Sequence, residues 1–170
     1  MLTLVGSACS GSDDHAAEPT TTTTTTTTPP TGVDALRLNQ IQVIGSHNSY
    51  KLKPRAELSS ALDGLVPSLA AEIEYGHLPL AEQLADHGIR QLEIDVVADP
   101  DGGLYATPAA LEILGIEEEP DPAMLEPGFK VQHIQDVDFE TTCPTFTMCL
   151  SQIEAWSSAN PNHLPVMVMV

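Results

Sequence analysis

"IRQLEIDVVADP", residues 89–100, decides what kind of fold this chain builds. Alternation places Leu92, Ile94 and Val96 on one face of a strand and Glu93, Asp95 and Val97 on the other. In an antiparallel sheet the second face could simply be solvated. In a parallel sheet helices cover both faces. Two carboxylates in a covered interior must then be paired, protonated or bound to a metal.

The flanking segments favour the parallel arrangement. Upstream, "LNQIQVIGSHNSY" predicts a strand at roughly 40–45. The stretch 51–77 leans helical but is broken by Pro54, Gly64 and Pro67, so it reads as a loop with short helical turns. "LPLAEQLADHG", 78–88, sets Leu80, Leu84 and then Ile89 at helical spacing, with Gly88 as the stop. Downstream, 99–128 is rich in Pro, Gly and acids and reads as loop. "FKVQHIQDV", 129–137, predicts a third strand. Residues 145–163 hold an amphipathic helix with Met148, Ile153 and Trp156 inward and Asn160-Pro161 at its end. "LPVMVMV", 164–170, opens a fourth strand, continuously apolar and so expected to be buried on both faces. This βα alternation predicts a parallel sheet with covering helices, either half of an α/β barrel or an open sheet. Because the sequence ends inside that strand, at Val170, it reads as a truncated piece of a larger domain.

Charge narrows the partners. The 170 residues carry 24 acids against 6 Lys and Arg, a net charge of −18. Such a surface repels phosphate backbones, so no nucleic-acid partner is expected. An acidic enzyme acting on phosphate needs a cation to bridge the two.

The N-terminus reads as an address. "MLTLVGSACSGSDD" is similar to the end of a bacterial lipoprotein signal, 1–9, with Cys9 as the lipidated residue, although a basic start is missing. A Thr- and Pro-rich tether, 10–35, follows and has nothing to bury. The expectation is a secreted or cell-surface bacterial lipoprotein, a monomer that meets a membrane surface through its anchor and its substrate. Cys143 and Cys149 suggest a disulfide closing a small loop, against the alternative of two free thiols.

Three predicted strand ends carry polar groups that packing does not explain: His47-Asn48, the pair Glu93 and Asp95, and His133. In a parallel sheet these ends share one rim. Amide and carboxylate oxygens there suit a hard cation such as Ca²⁺, and two imidazoles beside it supply acid-base groups. His77, His87 and His163 are expected at the surface, and "GIEEEPDP", 115–122, as a solvated acidic loop.

"GSHNSY", "LEIDV", "VQHI" and "LPVMVMV" together resemble the calcium-dependent phosphatidylinositol-specific phospholipase C-like phosphodiesterases, especially their secreted bacterial branch. The resemblance runs over about residues 38–170, and the domain is taken as 36–170. It implies a TIM-barrel-type (β/α) fold, of which this chain would hold about the first four βα units. It also implies His47 and His133 as the catalytic histidines, and Asn48, Glu93 and Asp95 as Ca²⁺ ligands, with Glu93 placed to act as base too. The implied reaction is attack of an inositol hydroxyl on phosphorus, releasing diacylglycerol. The family's further carboxylate ligand would lie beyond Val170.

Two other readings compete. A glycerophosphodiester phosphodiesterase also sets a His near strand one and an E-x-D pair on strand two. That group usually follows its first His with Arg, where this chain has Asn48, and "SYKLKPR" lacks its second His. A non-catalytic truncated surface lipoprotein is the other alternative.

Overall fold

The structure, a computed structural model, describes residues 32–170. Cys9 and all of the tether before residue 32 lie outside the described residues. The chain divides into two units, Met1–Gln40 and Ile41–Val170. In the first, the described part forms two 3₁₀ turns, Gly32–Ala35 and Leu38–Gln40.

The second unit carries five short strands and six helices among the described residues. Three strands form a parallel sheet in the order β1 (Gly45–Ser46), β2 (Gln91–Glu93), β5 (Met167–Met169). The other two, β3 (Val96–Asp99) and β4 (Gly128–Val131), form an antiparallel pair. The predicted strand 89–100 is therefore two strands in two sheets, broken at Ile94-Asp95. Its alternation survives the break: Leu92 and Ile94 are fully buried, and Glu93 and Asp95 are half-buried.

The third predicted strand departs from expectation in direction and length. It runs antiparallel to β3 and ends at Val131. Residues 133–138 then fold back on themselves: His133 and Ile134 donate to the Asp138 carbonyl at 3.1 and 3.2 Å. Asp136, with φ 64°, makes that reversal in the left-handed region that Asp tolerates. The fourth predicted strand joins β2 directly. It lies at the edge of the described sheet, and Met169 and Val170 are exposed rather than buried on both faces.

Six helices make up much of the rest of the unit. α1 (Ala56–Leu65) and α2 (Pro67–Ile73) occupy the helix-leaning stretch expected to be a loop with short helical turns; they break before Pro67 but α1 runs through Gly64. α3 (Leu80–Asp86) forms where the apolar spacing predicts it; Leu80 and Leu84 are fully buried, and Gly88 follows at φ 64°. Two short helices, α4 (Ala109–Leu114) and α5 (Pro122–Leu125), interrupt the expected loop 99–128. α6 (Phe146–Ala159) starts at Thr145, whose hydroxyl accepts from the Met148 amide at 3.3 Å.

Trp156 is buried and Ile153 packs against the core, as the pattern of α6 predicts, but Met148 is exposed. Cys149 takes the inward position one residue on, drawn there by a disulfide to Cys143. His163 is not a free surface side chain either: its ring lies 4.8 Å from that of Trp156 and its Nε2 is 2.7 Å from Ser157 Oγ.

Two buried lysines tie the unit together. Lys130 lies 3.6 Å from Asp99 within the β3–β4 pair, both nearly inaccessible. Lys51 reaches into the core beside the turn after β1, where the segment 73–77 crosses it. Gly76 permits that crossing, because a Cβ there would collide with the Lys53 backbone.

Candidate active site

The register of β1 and β2 builds the site. Gly45 pairs with Gln91 and Ser46 with Leu92, so the chain leaving β1 at His47 lies beside the end of β2 at Glu93. Ser49 fastens the turn there: its amide donates to the Glu93 carbonyl at 2.9 Å, and its hydroxyl accepts from the Glu93 amide at 2.9 Å. Gln83 of α3 holds the same turn from below, its Nε2 donating to the Ser49 carbonyl at 2.7 Å.

From Asn48 to Lys51 every side chain is buried and hydrogen-bonded. Asn48 sits at φ 48°, a left-handed conformation that Asn adopts more readily than most residues. Its amide donates to Glu93 Oε2 at 3.2 Å, and its Nδ2 donates to the Tyr75 hydroxyl at 2.8 Å. Its side-chain oxygen, Oδ1, is buried and has no hydrogen-bond partner. Tyr50 donates its hydroxyl to Asp95 Oδ2 at 3.0 Å. Burial, and after it the Asp95 carboxylate, push that phenol well above its usual range, so it stays a donor.

Lys51 completes the set. Its Nζ lies 3.2 Å from Asp138 Oδ2 and donates to the carbonyls of Ile73 at 2.7 Å and Tyr75 at 2.9 Å. Burial lowers the Lys51 pKa, and Asp138 opposes that shift without cancelling it. The same Asp138 oxygen lies 2.9 Å from Nδ1 of His133.

Of the residues singled out from sequence, His47, Asn48 and Glu93 come together. His47 is open to solvent, with Nε2 3.5 Å from Glu93 Oε2. Asp95 is bonded to Tyr50, and among the described residues no hydrogen bond or ion pair joins it to His47, Asn48 or Glu93. His133 stands apart: among the described residues no hydrogen bond or ion pair joins it to His47, Asn48 or Glu93. It belongs instead to the Asp138–Lys51 group. A cavity of about 480 Å³ opens beside His47, bordered by His77, His87 and Gln83. A second cavity, about 440 Å³, is lined by Leu111, Met124 and Phe139 and touches none of the site residues.

A hard cation fits this donor set. A buried amide oxygen without a partner is costly, and Asn48 Oδ1 stands on a residue whose amide is bonded to the Glu93 carboxylate. Amide and carboxylate oxygens are the donors such a cation takes. Among the described residues no three His, Cys, Asp or Glu side chains are grouped to hold a metal ion. A cation here would therefore draw on Asn48 as well as on carboxylates.

Sequence reasoning missed Lys51, Tyr75 and Asp138. Lysine is rarely buried, so Lys51 reads as surface until its partner is known. Asp138 lies five residues after His133, a spacing that pairs side chains only once the 133–138 turn closes.

If the Tyr50–Asp95 bond holds the carboxylate as described, Tyr50→Phe should lower stability by about 1.5–3 kcal/mol, the usual range for a hydrogen bond to a charged group. Urea unfolding would show it, and an unchanged midpoint would mean that Asp95 is held by other means.

Residues 36–170 match the family model described as phosphoinositide phospholipase C, Ca²⁺-dependent. No curated protein matches the chain, and no solved structure does.

Proposed function

Since the chain belongs to the Ca²⁺-dependent phosphoinositide phospholipase C family, we propose that it cleaves the phosphodiester of phosphatidylinositol or a closely related lipid. The observation that carries this reading is the unpartnered, buried Oδ1 of Asn48, a residue whose backbone amide is bonded to the Glu93 carboxylate that also faces His47.

In this reading Asn48, Glu93 and Asp95 hold Ca²⁺. Ca²⁺ held there would supply Lewis-acid chemistry, a lower pKa for the attacking hydroxyl and a counter-charge for the phosphate. The chain's own groups do the rest. His47, exposed at the rim, donates to a phosphate oxygen. Glu93 takes the proton of the attacking inositol hydroxyl. His133 protonates the diacylglycerol oxygen as it leaves, so the phosphorus–oxygen bond to the lipid breaks as the bond to inositol forms. The parallel sheet β1-β2-β5 is in this proposal part of a (β/α) barrel whose strand ends make the rim. Attachment at a bacterial cell surface through Cys9 belongs to the same proposal; among the described residues no helix is long and apolar enough to cross a membrane.

The direct test is thermal unfolding with Ca²⁺ and with a chelator, alongside cleavage of phosphatidylinositol vesicles. At a Ca²⁺ concentration about 100 times Kd, binding should add about 2.7 kcal/mol of stability. Asn48→Ala should abolish that gain. A midpoint indifferent to Ca²⁺ would remove Asn48, Glu93 and Asp95 as ligands, and intact lipid in the presence of Ca²⁺ would remove the activity.

A further inference from the structure

The buried group Lys51–Asp138–His133 is more than the reading above uses. Lys51 and Asp138 are wholly inaccessible, while the His133 side chain keeps about a quarter of its surface, 26%, open. One oxygen of Asp138 serves both neighbours, at 3.2 Å from Lys51 Nζ and 2.9 Å from His133 Nδ1. The backbone fixes this geometry. His133 and Ile134 donate to the Asp138 carbonyl, and the Asp138 amide donates back to Ile134 at 2.9 Å, so the turn keeps the two residues side by side.

We propose that Asp138 is a positioning residue for His133: its carboxylate, matched by the buried Lys51 ammonium, holds the resting imidazole with its proton on Nδ1 and keeps Nε2 free to take up from solvent the proton that it then delivers to the leaving oxygen. A carboxylate accepts only, so the nitrogen facing it must carry the proton. Such a partner fixes tautomer and ring orientation together. Lys51 keeps the carboxylate from being a lone charge in the interior. The other Asp138 oxygen, Oδ1, is buried with no partner. Lys51 is thus the one permanent cation among the groups paired with that carboxylate. The bearing on catalysis rests on the proposed function; the tautomer does not.

The test reads ¹⁵N and ¹³C shifts of the histidine rings at a pH of about 8, where an ordinary imidazole is neutral. His133→Gln assigns the signal. In the native protein His133 should appear as the Nδ1–H form. Asp138→Asn, close to isosteric, can present its Nδ2–H₂ to the ring and should move the population toward the Nε2–H form. It should also lower phosphatidylinositol cleavage by at least about 100-fold, the lower range for misplaced acid-base groups. An Nε2–H ring in the native protein overturns the proposal without any variant, as does a ring whose tautomer ignores Asp138→Asn. A shifted tautomer in a protein that never cleaved lipid supports the positioning and overturns the phospholipase reading instead.

Discussion

His47→Ala and His133→Ala should each lower kcat/KM for phosphatidylinositol cleavage by about 10²–10⁴-fold, the contribution typical of a positioned acid-base group. The two losses should differ in kind. His47 is mostly solvent-exposed and among the described residues its ring is paired with Glu93 alone, so His47→Ala should leave the stability within about 0.5 kcal/mol of native. His133 belongs to a buried ionic group, so its removal should also cost stability. Cleavage at native rates in either variant would end the two-histidine mechanism. Native stability in His133→Ala with lost activity would show that Asp138 is held by Lys51 alone.

The second large effect concerns Lys51. Lys51→Met removes the ammonium from a buried carboxylate and from the carbonyls of Ile73 and Tyr75. Breaking a buried pair by deleting one partner costs about 3–5 kcal/mol, a large share of the 5–15 kcal/mol by which a domain is usually stable. The double replacement Lys51→Met/Asp138→Leu should cost less than the single one, because no charge is then stranded. The lowered Lys51 pKa points the same way: for this side chain burial outweighs the attraction of Asp138. Urea unfolding of both variants decides it. A single variant within about 1 kcal/mol of native would mean that water reaches Asp138.

The legible features were those fixed by neighbours in sequence. α3 follows from the spacing of Leu80 and Leu84 and the Gly88 stop. The inward set Leu92 and Ile94 follows from strand alternation. His47, Asn48 and Glu93 were found because polar residues ending apolar strands have no packing reason to be there.

What stayed hidden depends on partners distant in sequence. Nothing in residues 89–100 tells that Gln91–Glu93 pairs with β1 while Val96–Asp99 pairs with β4. Periodicity placed Met148 inward, since it cannot weigh a disulfide that pulls Cys149 to the core. The burial of Lys51 makes sense only with Asp138, 87 positions further along, within reach.

The turn after β1 also sets where this chain can change length. The side chains of Asn48, Ser49, Tyr50 and Lys51 meet Tyr75, Glu93, Asp95 and Asp138 in turn, and Lys51 also meets the Ile73 and Tyr75 carbonyls. Adding or deleting a single residue there would shift all four side chains by one place and break four unrelated contacts together. The segment between β3 and β4 is held mostly through backbone groups, as where the Gly103 amide donates to the Met124 carbonyl and the Ala110 amide to the Asp136 carbonyl, and the exposed Leu104 and Ile113 lie along it. Variation in length should therefore collect between β3 and β4, while the four residues after His47 tolerate none.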